Sequence, residues 1–187
     1  MRDEDAEPGV SDVVRDRRAL LALDAVYRKA GEALAGFGCP ASSECCRLRD
    51  TGREPYLFPV ELLRLRQALA RQGRAVPPPR PDGACRLLTA DGRRCTVYED
   101  RPFGCRTYFC ERVQGPGAFP EPALHRLTAR LTQLSDERDP GAHPERLTAL
   151  LDGLHADQEV AMTSATSPQS RSNSAGPNSD PDRSQPR

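Results

Sequence analysis

Residues 85–110 read CRLLTADGRRCTVYEDRPFGCRTYFC, with Cys85, Cys95, Cys105 and Cys110 at intervals of ten, ten and five. Two short apolar runs here flank Asp91-Gly92, a dipeptide suited to a tight reversal because both residues tolerate positive φ. Cys85–Thr89 and Cys95–Tyr98 are therefore expected to form a small β-hairpin, with Arg101–Arg112 a turn or short helix carrying the last two cysteines. Upstream, Cys39, Cys45 and Cys46 lie in a polar loop, and these complete the seven cysteines of the 187-residue chain.

Helical patterns surround this region. Apolar residues recur at helical spacing through Val14, Leu20, Leu21, Leu23, Val26 and Leu34, after Ser11 and before Gly36 and Gly38. A second helix is expected from Pro59, a favoured first helical residue, to Gly73. Ala75–Gly83 reads as a stiff, proline-rich connector. Two further helices are expected near Glu121–Gln133 and Pro144–Val160. Residues 1–10 are acidic and expected to be flexible. Residues 161–187, nearly devoid of apolar side chains, are expected to be a disordered tail. The expected fold is mainly α with a small cysteine-rich β-hairpin, an irregular α+β arrangement in a single metal-stapled domain over residues 11–160.

Three readings of the cysteines compete. A disulfide framework suits neither the odd count nor the neighbours Cys45 and Cys46, which could pair only with strain. No basic start followed by an apolar stretch marks a secretory signal, so a cytoplasmic protein is expected, where thiols stay reduced. Buried packing residues would sit among apolar neighbours, but these sit beside Arg, Glu, Asp and Gly. The third reading is metal ligation, since zinc and iron–sulfur clusters both take about four soft sulfur ligands. The candidate ligands are Cys39, Cys45, Cys46, Cys85, Cys95, Cys105 and Cys110, drawn from loop, hairpin and turn. Neighbouring side chains in extended chain point opposite ways, so Cys45 and Cys46 share one ion only across a sharp backbone turn.

Charge and composition narrow the partners. Lys plus Arg and Asp plus Glu are 27 each, so no global field attracts nucleic acid or an anionic membrane. From Cys39 to Arg112, however, 14 Arg face nine Asp and Glu, a local excess that would offset clustered thiolates. No run of about 18 apolar residues exists to span a membrane. His125, His143 and His155 fall outside the cysteine window without a helical metal-site spacing, and are left out of the site.

The loop Cys39-Pro-Ala-Ser42-Ser-Glu-Cys45-Cys46, the later Cys85 and Cys95, and Tyr98-Glu-Asp-Arg101-Pro102-Phe-Gly-Cys105-Arg106 together resemble the YkgJ-type cysteine cluster proteins. That family's pattern is C-x-x-C-x-x-C-C, then two cysteines, then Y-x-x-R-P-x-x-C-R. The resemblance implies a zinc- or iron-chelating domain over residues 39–106. Ser42 departs from it, standing where the family has its second cysteine. Cys110 lies beyond the usual ending and is a candidate to replace the lost ligand. Some relatives carry the motif in enzymes that methylate flagellin lysines, apparently with an iron–sulfur cluster.

Three functions follow as expectations. The leading one is a metal-binding protein holding zinc or an iron–sulfur cluster, with a metal ion as ligand, a protein partner in view, and no catalytic residues singled out. The second is an accessory subunit or relative of an iron–sulfur-dependent protein methyltransferase; no Gly-rich strand–turn–helix element for a nucleotide-like cofactor supports it. The third is a zinc-dependent nucleic-acid or protein interaction module. Its nucleic-acid form is disfavoured by scarce aromatics and by spacing that matches no common finger.

Overall fold

A computed structural model of the chain describes residues 10–37, 43–107 and 119–165. The described residues are mainly helical: α1 (Val10–Ala33), α2 (Leu48–Thr51), α3 (Pro59–Arg71), α4 (Phe103–Thr107), α5 (Glu121–Arg138) and α6 (Leu147–Ala165). Two strands, β1 (Tyr56–Leu57) and β2 (Glu145–Arg146), pair antiparallel, with Tyr56 opposite Arg146 and Leu57 opposite Glu145.

α1 buries Leu20, Leu23, Val26, Tyr27, Ala30 and Leu34, a stripe repeating every three or four residues. That stripe packs with Leu124, Leu131 and Leu134 of α5 and with Val60 and Phe103 in a first apolar cluster. Val14 and Leu21, expected on the same face, point outward and are largely exposed. A second cluster gathers Leu65, Ala68 and Leu69 of α3 with Leu57, Val76, Ala84, Leu87, Leu88 and Val97. Leu147, Leu151 and Leu154 of α6 close it. α3 therefore contributes to both clusters.

Pro59 opens α3 as its spacing predicts, and the helix stops at Arg71, before Gly73 at φ 58°. The connector from Ala75 is held by α6: the Val76 N–H donates to Gln158 Oε1 at 2.7 Å, and the Val76 carbonyl meets His155 Nδ1 at 2.8 Å. α6 starts where β2 ends, and its N-terminal Thr148 N–H donates to Glu54 Oε1 at 2.7 Å.

Two expectations need correction. The hairpin over Cys85–Tyr98 shrinks to one antiparallel bridge, Leu88 with Cys95. The Gly92 N–H donates to the Thr89 carbonyl at 2.8 Å, so Asp91-Gly92 fills the third and fourth positions of the turn rather than its centre. Gly92 alone takes positive φ, at 70°. Asp91 accepts from the Thr89 hydroxyl and the Arg93 N–H, which widens the reversal. Ala84–Leu88 is buried on both faces, so it threads the core instead of forming a half-exposed strand. Tyr98 falls in a 3-10 turn, Tyr98–Asp100. The other correction concerns the tail: α6 runs to Ala165, past the expected boundary at 161. Residues 1–9 and 166–187 lie outside the described residues.

Leu65 has no exposed surface. Leu65→Ala is expected to cost about 2–5 kcal/mol in urea unfolding, whereas the exposed Leu21→Ala should change stability by no more than about 0.5 kcal/mol.

Candidate metal centre

Four chain segments bring sulfur to one cleft. Cys45 and Cys46 sit in a 3-10 turn, Glu44–Cys46; Cys85 and Cys95 flank the reversal; Cys105 lies in α4. All five line the same cleft. The loop is pinned on the reversal by backbone and side chain: the Cys85 N–H donates to the Cys46 carbonyl at 2.8 Å, and Ser43 Oγ donates to the Gly92 carbonyl at 2.8 Å. Ser43 reaches that position with φ 58°, the one non-glycine positive φ among the described residues.

The sharp turn that Cys45 and Cys46 would need is present: their sulfurs are 4.0 Å apart. With the Cys46 thiol donating to Cys45 sulfur, the Cys45 pKa drops to about 7, helped by the Arg101 guanidinium. Cys46 is pushed up by the same hydrogen bond, then by burial and by the charges of Cys45, Cys85 and Cys95. Burial raises Cys85 to about 11, with further contributions from Cys95 and Cys45. Burial likewise raises Cys95. Cys105 keeps partial surface, yet its dense surroundings push the thiol well above the usual range, and the charges of Cys85, Cys95 and Cys45 add to this. The five thiols are thus close enough to feel one another's charge.

All five are free thiols. As placed, no three His, Cys, Asp or Glu side chains among the described residues stand within reach of one ion. Cys39 and Cys110 lie outside the described residues, as does Ser42. The donor chemistry fits zinc or iron: five cysteines line the cleft, and the carboxylate on its wall, Glu54, is engaged by Thr148.

The family model CxxCxxCC, described as "Putative zinc- or iron-chelating domain", matches residues 38–122. Over that stretch the chain is similar to the CxxCxxCC family. No curated protein and no solved structure matches it.

The Tyr98–Arg106 segment is held by its own side chains and backbone. Arg101 stacks on Tyr98, 3.7 Å from the ring centre, and its Nη1 donates to the Tyr98 carbonyl at 2.9 Å. Carbonyl capping is thus the role Arg101 takes; Asp100 pairs instead with Arg71 and Arg64. Arg106 donates to the Arg101 carbonyl at 2.7 Å and to the Glu99 carbonyl, and lies over the Tyr27 ring at 4.1 Å. Tyr98 is partly exposed and serves as the platform for Arg101. Gly104 is small because a Cβ there would come within 3.2 Å of Pro55. His125 is exposed, and His155 is committed to Val76.

Sequence reasoning missed Glu61. Its side chain is 1 % exposed. Oε1 accepts from Tyr27 Oη at 2.8 Å and from the Phe103 N–H at 2.6 Å, and Oε2 accepts from the Phe58 N–H at 3.1 Å. Burial raises its pKa, and the two backbone donors and Tyr27 oppose that rise. A Glu two residues after a helix-opening Pro signals a helix-start cap, which accounts for the Phe58 bond alone.

Thiols that ligate must shed their protons. Cys85, Cys95 and Cys105 hold theirs above the usual thiol range, so raising the pH should favour metal uptake. Zinc affinity, measured against a competing chelator, is expected to rise about tenfold per pH unit for each such thiol engaged. Cys45 should contribute to that slope only below pH about 7. An affinity independent of pH would exclude thiols as the ligands.

Proposed function

We propose that this chain chelates zinc or an iron–sulfur cluster through thiolates drawn from Cys39, Cys45, Cys46, Cys85, Cys95, Cys105 and Cys110. The observation that carries this reading is the convergence of five thiols from distant parts of the chain on one cleft. Ordinary core packing would not select it. Burial raises the proton affinity of Cys85, Cys95 and Cys105, and neighbouring thiols add to it, which is unfavourable for ionisation until a cation offsets their charge. The family description points to the same chemistry.

Cys46 and Cys85 are the best-anchored pair, since their backbones are hydrogen-bonded across the cleft. Cys95 follows from the bridge to Leu88, and Cys105 from α4. Cys39 and Cys110 are assigned from sequence alone. When bound, the metal would draw loop, reversal and α4 together, so the domain should be tighter with it than without. The arginines of the cleft wall, among them Arg93, Arg94 and Arg101, suit a thiolate-rich centre of net negative charge. The task is read as binding, with a protein partner to which the metal-tightened surface is presented. No helix among the described residues is long and apolar enough to cross a membrane.

Anaerobic purification followed by assay of zinc, iron and acid-labile sulfide per chain tests this reading. Stoichiometric zinc in a colourless sample, or iron with matching sulfide in a brown one, is the expected result. Cys85→Ser and Cys95→Ser should each lose most of the metal and lower the melting temperature towards that of the chelator-treated wild type. A folded chain carrying neither metal, and taking up none when supplied, would overturn it.

A further inference from the structure

The chelation reading leaves open how a five-residue helix as short as α4 can present Cys105 reproducibly. Phe103–Thr107 is too short to hold itself helical, because a single turn fixes more dihedral freedom than its hydrogen bonds return. Something outside it must set its start. The Phe103 N–H, at the opening of that turn, donates to Glu61 Oε1 at 2.6 Å, the shortest of the three bonds Glu61 receives. Phe103 itself is buried in the α1–α3–α5 cluster, so the turn is fixed at its first residue by packing and by this bond. Cys105 follows two residues later.

We infer that Glu61 is the positioning residue of the metal site: by accepting the first N–H of α4, its buried carboxylate sets the direction from which Cys105 enters the cleft. The inference rests on the chelation reading and on Cys105 being a ligand. Two observations support a site role over a general structural one. The carboxylate joins α1, through Tyr27, to α3 and α4, and both Tyr27 and Arg106 line the cysteine cleft. Arg106, the residue after Cys105, covers the Tyr27 ring and caps the carbonyls of Glu99 and Arg101, so it closes the other side of the same turn. Cys105 therefore sits between two restraints, Glu61 at the N–H end and Arg106 behind. A hydrophobic residue at position 61 would pack the core yet leave the α4 donor without a partner.

Two substitutions separate positioning from folding. Glu61→Asp keeps a carboxylate able to cap α3 but withdraws it by about 1.5 Å, one C–C bond, and so out of reach of Phe103. Glu61→Gln keeps one carbonyl oxygen at full reach, able to accept from Phe103 and Tyr27 together. Cobalt(II) titration of the full-length protein reads the site directly, because sulfur-to-cobalt charge-transfer absorption scales with the number of thiolates bound. Circular dichroism on the same samples reports helix content. With native helix content, Glu61→Asp is expected to lose about 10–100-fold in cobalt affinity and one thiolate's share of absorption. Cys105→Ser should show the same loss of absorption, and Glu61→Gln should restore the wild-type spectrum. Wild-type absorption and affinity in Glu61→Asp would overturn the inference. An unchanged spectrum in Cys105→Ser would overturn it too, while leaving chelation by the other cysteines intact. Failure of the wild type itself to bind cobalt through sulfur would instead remove the chelation reading beneath it.

Discussion

A carboxylate taken out of water costs several kcal/mol unless donors replace its hydration. Glu61 has that replacement from three directions, and its donors come from three separate elements: the Tyr27 hydroxyl of α1, the Phe58 N–H before α3 and the Phe103 N–H of α4. The cost of burying the charge thus becomes a constraint on geometry, because none of the three elements can drift without uncovering it. Burial raises the Glu61 pKa while its donors oppose the rise, and the Arg106 guanidinium nearby acts in the same sense as the donors. The parts of α1, α3 and α4 that meet at this group are placed relative to one another by it.

From that fixed point the remaining restraints are short-range. α3 gives Val60 to one apolar cluster and Leu65, Ala68 and Leu69 to the other, so the two halves share one wall. The reversal carrying Cys85 and Cys95 emerges from the second cluster, with Arg86 buried beneath it. Arg86 donates to the Leu151 carbonyl at 3.3 Å and pairs with Asp152, which ties the reversal to α6. The loop with Cys45 and Cys46 has few apolar anchors of its own. It is held by Cys46 and Ser43 reaching the reversal, a thin attachment for a segment that supplies two of the five described sulfurs.

Much of the helical frame was legible in the residues. Apolar periodicity located α1, and Pro59 marked the start of α3, because these signals arise within a single element. What misled was local chemistry read without its surroundings. Asp91-Gly92 does sit in a turn, but the Asp91 side chain engages Thr89 and Arg93 and shifts the pair along it. The β1–β2 pair joins residues 88 and 90 positions apart with two residues on each strand, too few to show any alternation. At the site, the cysteines announced themselves by type and spacing. Glu61 and Arg106 did not, since their roles depend on which backbone groups fold back against them. The placements of Cys39 and Cys110 lie outside the described residues, so their roles still rest on sequence.

The hydrogen bond from Cys85 to the Cys46 carbonyl has a consequence for how the protein is made. It joins segments that leave the ribosome well apart in time, and Cys105 follows Cys45 by about sixty residues. At about 5–20 residues per second, Cys45 and Cys46 are out for several seconds before the last described thiol exists. For the first part of that interval, about forty residues, the Cys85 partner of the Cys46 carbonyl has yet to be synthesised. The contact that seats the Cys45–Cys46 loop on the reversal is thus one that the chain can make only after residues 46–85 have all emerged.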